Sequence, residues 1–271
     1  MELRDSVVVV TGGGSGIGAA LCRRFAAESP RALVVVDIAR SGAEAVADEI
    51  RSAHSGLEVD SAMVDVSVEA QVRELVEGCI DRFGGIDLFV GNAGIGTATG
   101  IDATNEQWQR IWDVNVMAHV HATRALLPHW QERGRGYLLI TASAAGLLTN
   151  LGDAPYTVTK HGAVALAEWI SISHGAAGVT VSCLCPQGVR TPLLFGGSDE
   201  STEGELAADV VKMQGVIEPE EVAESVVAGL RDETFLILPH PEVATYEQRR
   251  AGDRDRWLAA MRRLHAQLTG G

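Results

Sequence analysis

Tyr156 and Lys160 stand four residues apart in Pro155-Tyr156-Thr157-Val158-Thr159-Lys160, and on a helix that spacing puts a phenol and an ammonium on one face. Such a pair is an acid/base device. A free phenol loses its proton near pH ~10, too high for a base at neutral pH, but an adjacent cation favours the phenolate. One unit charge at about 5 Å in an effective dielectric of ~20 contributes roughly 3 kcal/mol, or about two pKa units. The expectation is a Tyr156 whose pKa is lowered by Lys160 toward the range where protons are exchanged efficiently. Alone, Y-x-x-x-K is more often decoration on an amphipathic helix, so other residues must support the chemistry.

Two other stretches do. Ser143 lies thirteen residues upstream of Tyr156, just past the apolar run Tyr137-Leu138-Leu139-Ile140-Thr141, at the carboxyl end of an expected strand where open α/β sheets bind ligands. At the amino end, the β-branched run Ser6 to Val10 leads into Thr11-Gly12-Gly13-Gly14-Ser15-Gly16-Ile17-Gly18 and then a helix-forming stretch. Strand, glycine turn and helix together present unpaired amides and a positive helix dipole to a pyrophosphate. The general dinucleotide fingerprint fits only loosely, as Gly14-x-Gly16-x-x-Ala19. Asp37 ends the next apolar run, nineteen residues after Gly18, where a carboxylate accepts both adenosine ribose hydroxyls.

These pieces, with Asp65-Val66, Asn92-Ala93-Gly94, Asn115 and the segment Pro186 to Thr191, resemble in type and order the short-chain dehydrogenase/reductase family. The family's own glycine spacing is met by Gly12, Gly16 and Gly18. The resemblance implies a compact Rossmann-type enzyme that binds NAD and interconverts an alcohol and its ketone or aldehyde. It assigns Tyr156 the proton exchange, Ser143 the hold on the reacting oxygen, and Lys160 the nicotinamide ribose. Asn115 would support a proton relay through a water near Lys160. It further implies that Ser15 and Ile17 join the glycines around the cofactor, that Ile38 flanks Asp37, and that Asp65 and Val66 hold the adenine edge. Asn92, Ala93 and Gly94 would pass close to the ribose, and Val189 and Thr191 would meet the nicotinamide carboxamide. Two departures stand out: Gly91 replaces a second Asn, which weakens the expected packing of that turn, and Gln187 replaces a Gly. Two rival readings are a dinucleotide-binding regulatory protein without turnover and an epimerase or dehydratase of related fold. The first need not keep Ser143, Tyr156 and Lys160, and the second needs a larger C-terminal domain than the residues after Thr191 allow.

The rest of the chain fits one α/β domain, a doubly wound, seven-stranded parallel sheet with helices on both faces. Apolar runs place strands at Ser6–Val10, Ala32–Val36, Val59–Val66, Asp87–Val90, Tyr137–Ala142, Val179–Cys185 and Thr234–Leu238. Helices are expected at Ala19–Ala27, Ala43–Ala53, Val68–Phe83, Asn105–Arg133 (bent or interrupted at Pro128), from Asp153 and Pro155 to about Ala176, and Pro219–Leu230. A single charged helix is expected over Val243–Leu268, its arginines interleaved with acids as on a solvated face. The cofactor half spans about 1–142, the catalytic and substrate half about 143–240, and the terminal helix about 241–268 of the single domain 1–271. The Gly/Ser-rich acidic stretch Gly196 to Gly204 reads as a surface segment over the substrate.

A net charge of −14 disfavours nucleic acid and anionic membrane, and no basic leader or spanning run opens the chain, so a cytoplasmic protein is expected. Cys22, Cys79, Cys183 and Cys185 have no metal-ligand spacing and read as buried free thiols, with no metal expected. Trp108, Trp112 and Trp130 read as core or subunit-interface anchors of a homo-oligomer, a tetramer or dimer by resemblance. Leu147, Leu148 and Leu151 after Ser143, and Leu193, Leu194 and Phe195, predict an apolar pocket for a hydrophobic secondary alcohol or ketone.

Overall fold

The computed structural model describes residues 1–195 and 215–269. Val7-Val8-Val9-Val10 is apolar on both faces, the signature of a strand covered by helices on each side, and it forms β1 (Val7–Thr11) with all five residues buried. β2 (Ala32–Asp37), β3 (Glu58–Met63), β4 (Leu88–Gly91), β5 (Gly136–Thr141) and β6 (Val179–Leu184) follow in the chain. β7 (Gly188–Val189) and β8 (Val216–Ile217) make a separate parallel ribbon, and β9 (Leu236–Ile237) closes the main sheet. The main sheet has the order β3-β2-β1-β4-β5-β6-β9, all neighbours parallel. This is a seven-stranded Rossmann-type fold in one domain. The order reverses between β1 and β4, and the carboxyl ends of the strands at that point form the crevice where such sheets bind ligands.

The helices are α1 (Gly16–Ala26), α2 (Arg40–Ala53), α3 (Glu69–Phe83), α4 (Asn105–Trp112), α5 (Ala118–Arg133), α6 (Ala154–His174), the short α7 (Pro192–Phe195), α8 (Pro219–Arg231), α9 (Glu242–Gly252) and α10 (Arg254–Thr269). They cover both faces of the sheet, producing two cores: one around Phe83, Phe89 and Trp130, the other around Leu21, Phe25 and Ile50. Each fully buried aliphatic or aromatic side chain in these layers contributes about 1.5–3 kcal/mol. Trp130 is wholly buried and its indole N–H donates to the Ile86 carbonyl at 2.8 Å, so its one polar atom is satisfied. All four cysteines are buried and free, with Cys183 and Cys185 adjacent on one face of the β6 end, Sγ to Sγ 3.8 Å.

Two helices differ from expectation. Asn105–Arg133 is not one helix bent or interrupted at Pro128: α4 and α5 are joined upstream of it by a π-helical turn, Asp113–Met117, in which the Ala118 amide donates to the Asp113 carbonyl five residues back. Pro128 sits inside α5, forfeiting one intrahelical bond without ending it. Val243–Leu268 is likewise two helices, α9 and α10, broken at Asp253, whose extended backbone (φ −152°, ψ 92°) stops the first while its carboxylate accepts from the Arg256 amide at 2.9 Å to start the second. The third strand is shorter than the run Val59–Val66, ending at Met63. The segment Gly196 to Gly204 lies outside the described residues.

Candidate active site

The glycine turn is built by contact distances that admit no side chain. A Cβ on Gly18 would lie 2.0 Å from the Gly12 carbonyl oxygen, and Gly12 itself holds φ +63°. The turn is fastened to the loop after β4 through Thr11 and Asn92. Thr11 Oγ1 accepts from the amides of Asn92 (2.9 Å) and Ala93 (3.2 Å), while Asn92 Nδ2 donates to the Thr11 carbonyl at 3.0 Å. Asn92 therefore acts through its amide group as a brace of the loop. Asp37, at the end of β2, accepts from the Gly14 amide at 3.0 Å and the Ala39 amide at 2.9 Å, which sets its carboxylate beside the turn. Asp65 accepts from the backbone and hydroxyl of Ser67 and faces Arg110 at 3.4 Å. Thr191 packs against the turn, 3.1 Å from where a Gly16 Cβ would be.

At the other end of the same crevice stand Ser143, Tyr156 and Lys160. Asp153 caps α6, accepting from the Tyr156 amide at 2.9 Å, and it also accepts from the Thr97 amide (2.7 Å), the Thr97 hydroxyl (2.7 Å) and the Ala98 amide (2.7 Å). α6 and the loop after β4 are thus tied through one carboxylate. Ser143 closes β5, its hydroxyl accepting from the Ala145 amide at 3.1 Å. Lys160 is buried, its ammonium donating to the Thr141 carbonyl at 2.9 Å and lying 5.5 Å from the centre of the Tyr156 ring. Asn115 pairs both its side-chain atoms with the backbone of Ile95, each at 2.9 Å, and donates to Thr159 Oγ1 at 3.2 Å, so the π-helical turn cross-links loop and helix.

The expected lowering of the Tyr156 pKa by Lys160 is not what the structure has. Crowding of the phenol pushes its pKa up to about 12, with the Ser143 hydrogen bond opposing, and burial pulls Lys160 down to about 8. Desolvation outweighs the neighbouring cation: the ammonium is committed to the Thr141 carbonyl, 5.5 Å from the ring centre, and burial disfavours the charged form of each group. Holding a proton on Lys160 in this place, against its ordinary value of 10.5, costs about 3 kcal/mol at neutral pH. Because the folded-state pKa lies below the unfolded one, that penalty is complete below about pH 8 and fades as pH rises to 10.5. Lys160→Met, after discounting about 1 kcal/mol for the orphaned Thr141 carbonyl, should therefore raise stability at pH 7 by about 2 kcal/mol. The gain should shrink between pH 8 and 10.5 in urea titrations. A variant less stable than wild type at pH 7, or a gain that does not change with pH, contradicts this account.

The Gly91 departure also receives a different explanation. The turn is not under-packed: the His119 ring occupies the space an Asn would fill, its Nδ1 2.6 Å from where a Gly91 Cβ would be. Burial and the Lys160 cation pull the His119 pKa down to about 3, so the ring is neutral. At Gln187 the segment after β6 is held by His240, whose Nδ1 accepts from the Gln187 amide at 3.2 Å, leaving Nε2 to donate to the Gly188 carbonyl at 3.1 Å. Nothing in the local pattern marks His240, which arrives from beyond β9.

One cleft of about 1760 Å³ joins these groups. Gly12, Ser15, Gly16, Ile17, Asp37 and Ile38 line one end, with Asp65, Val66, Asn92, Ala93 and Gly94 beside them. Ser143, Tyr156, Lys160, Val189 and Thr191 line its middle. Gly18 lies behind the turn and Asn115 behind Gly94, 3.4 Å from where a Gly94 Cβ would be. Of the expected pocket leucines, Leu148, Leu151, Leu193 and Leu194 line the cleft with Phe195, whereas Leu147 is core. Arg110, Tyr246, Arg249, Arg256 and Trp257 line it too, and sequence reasoning missed all five. The charges around Arg249 and Arg256 read as a solvated surface, and only the fold brings α9 and α10 to the crevice.

A dinucleotide-sized cradle and a Ser–Tyr–Lys set opening into one cleft at the switch point of a parallel sheet define an α/β oxidoreductase of Rossmann architecture. The model of the short chain dehydrogenase family matches residues 6–200. The 1-deoxy-11-beta-hydroxypentalenate dehydrogenase of Streptomyces avermitilis is 33% identical over 249 residues, covering 90% of this chain and 88% of its own. The D-beta-hydroxybutyrate dehydrogenase of Rhizobium meliloti is 29% identical over 264 residues, covering 97% and 96%. A short-chain dehydrogenase/reductase from Burkholderia phymatum in complex with NAD superposes with a TM-score of 0.85 at 28% identity, covering 94% and 96%. A Sphingobium yanoikuyae short-chain dehydrogenase in complex with NADPH shares the fold at 23% identity, with a TM-score of 0.78 over 94% and 95%. The chain belongs to the short-chain dehydrogenase/reductase family. It is an oxidoreductase acting on CH–OH groups. No helix among the described residues is long and apolar enough to cross a membrane.

Proposed function

We propose that the chain is an NAD-dependent dehydrogenase/ketoreductase interconverting a hydrophobic secondary alcohol and its ketone, with Tyr156 as the general acid/base. The observation that carries this is the continuity of one cleft from the Asp37 carboxylate to Ser143, Tyr156 and Lys160. The glycine turn, with no room for a Cβ at Gly18, is shaped for a closely approaching pyrophosphate. Gly12, Ser15, Gly16, Ile17 and Gly18 would hold that group, and Asp37 and Ile38 the adenosine ribose. Asp65 and Val66 would take the adenine, Asn92, Ala93, Gly94 and Lys160 the nicotinamide ribose, and Val189 and Thr191 the carboxamide. The bound nicotinamide supplies the hydride acceptor or donor.

The protein's own part is protonic and positional. At neutral pH Tyr156 is a protonated phenol, ready to give its proton to a carbonyl oxygen that Ser143 steadies by a second hydrogen bond. In the reverse direction the phenolate takes the alcohol proton. Asn115 keeps Gly94, Ile95 and α6 in register so that these groups meet in one place. The apolar lining from Leu148, Leu151 and Leu194 favours a hydrophobic substrate, each Å² of apolar area withdrawn from water contributing about 25 cal/mol. A homo-oligomer is part of the same reading, supported by the exposed apolar side chains Trp112, Val158, Trp169 and Ile172 on α4 and α6.

The test is the absorbance of reduced nicotinamide, at neutral and alkaline pH, across cyclic, aryl-alkyl and polyol secondary alcohols. Oxidation of the cyclic or aryl-alkyl members with NAD is expected. Higher kcat/KM for polyols would remove the hydrophobic reading, and binding of NAD without turnover of any alcohol would favour a regulatory role.

A further inference from the structure

We propose that the substrate carries a carboxylate, separated from its carbinol by an apolar body and bound by Arg249 and Arg256 of the terminal helix pair. The proposal rests on the redox reading of the same cleft and names its substrate class. Pockets for single small molecules run to about 300–1,000 Å³. At about 1760 Å³ the cleft has room for a dinucleotide and for a second molecule of more than a few carbons. α10 adds a wall of the cleft, where Trp257, Ala260, Met261 and Leu264 recur at the spacing of one helix face. That stripe provides for an apolar body.

The same wall also carries positive charge, from the exposed side chains of Arg249 and Arg256. The chain has 36 acidic residues against 22 basic ones, yet the terminal pair carries six arginines against four carboxylates. Many arginines elsewhere are matched to acids, as in Arg23 with Glu49 and Arg133 with Asp87, although Arg31 bonds only the Phe83 carbonyl and Arg4, Arg254, Arg262 and Arg263 enter no ion pair among the described residues. Arg250 turns away to the His161 ring at 3.2 Å. Arg249 and Arg256 line the cleft, and neither guanidinium enters an ion pair or hydrogen bond among the described residues. Asp253 lines the cleft between them, but its Oδ1 is engaged with the Arg256 amide. Two guanidinium forks, each matched in shape to a carboxylate, thus remain at the junction of the two helices.

The test uses methyl-ketone carboxylic acids of increasing apolar chain length, their methyl esters, and NADH. At low salt the best acid should exceed its ester in kcat/KM by about tenfold, the size of one charge-assisted pair open to solvent. The acid-to-ester ratio should fall toward one in Arg249→Gln/Arg256→Gln and at high salt, and Arg249→Lys/Arg256→Lys should retain much of it. Esters that match or exceed the acids at every length overturn the proposal. So does an equal loss for acid and ester in the Gln variant, which is the mark of a merely structural role, or a loss of NADH affinity, which makes the arginines cofactor ligands. Binding followed by tryptophan fluorescence, with Trp257 in the wall, decides the acid-to-ester ratio without turnover. A preference for acid binding with no reduction of acid or ester refutes the redox reading and leaves the anion site standing; equal binding refutes the anion site alone.

Discussion

Tyr156→Phe is expected to lower kcat by about 10²- to 10⁴-fold while NAD binding and folding persist, because it removes one oxygen and keeps the ring that packs under Lys160. The raised pKa of the phenol adds a directional signature. With a pKa pushed up to about 12, only a small fraction is phenolate at neutral pH, and that fraction grows tenfold with each pH unit. The kcat/KM for alcohol oxidation should therefore climb with pH through the alkaline range, whereas ketone reduction, which uses the protonated phenol, should change there only through Lys160, whose own pKa is pulled down to about 8. In the Phe variant the climb should disappear along with the rate. The check is kcat and kcat/KM in both directions from neutral to alkaline pH, with NAD affinity measured separately. Near wild-type kcat in the variant would remove Tyr156 from the proton-transfer role.

The second large effect concerns the choice between NAD and NADP. Asp37 is held at the turn by two amides, so its carboxylate cannot swing away without losing both hydrogen bonds. NADP would place a phosphate of between one and two negative charges at the adenosine ribose. At about 4 Å in an effective dielectric of ~20, each pair of unit like charges costs roughly 4 kcal/mol before screening, and half of that still exceeds tenfold in affinity. Arg40, three residues on, offers little compensation because it is two-thirds exposed and faces Glu44 at 3.7 Å. Wild type should prefer NAD by more than tenfold in kcat/KM, and Asp37→Ala should narrow the ratio. Asp37→Asn keeps one of the two acceptor oxygens that the Gly14 and Ala39 amides use and puts an NH2 in place of the other, so it removes the charge while retaining more of the turn than Ala does. Comparable kcat/KM for the two cofactors in wild type, or a ratio unmoved in both variants, would show that Asp37 does not set selectivity.

The sheet was readable in the chain because its central strands are continuous β-branched runs, as in Val7 to Val10 and Ala32 to Val36, each ending where a ligand-facing residue begins. The glycine turn, Asp37 and the Ser143, Tyr156 and Lys160 set were readable because contact geometry and chemistry both demand particular residue types there. The failures have physical reasons of their own. Burial is a property of the assembled fold, so the upward shift of Tyr156 was hidden behind the simpler arithmetic of an adjacent cation. The pairing of His119 with Gly91 spans 28 residues, and neither residue signals it alone. In α9 and α10, acids between arginines gave the look of a solvent face on both sides of Asp253, although Arg249 and Arg256 on that face line the cleft.

The π-helical turn separates what holds this helix from what uses it. A turn of this kind is a helix with one residue too many, accommodated without disturbing the regular turns before and after. Ile111 upstream and Ala122, Leu126 and Trp130 downstream are anchored in the core on regular turns, while Asn115 projects from the widened one. Shortening the segment by a residue would let α4 run into α5 with those anchors in place and would take away only the amide that braces Ile95 and Thr159. Length, at this one position, is the heritable variable: the shorter helix is sufficient for the fold, and the extra residue exists for the site.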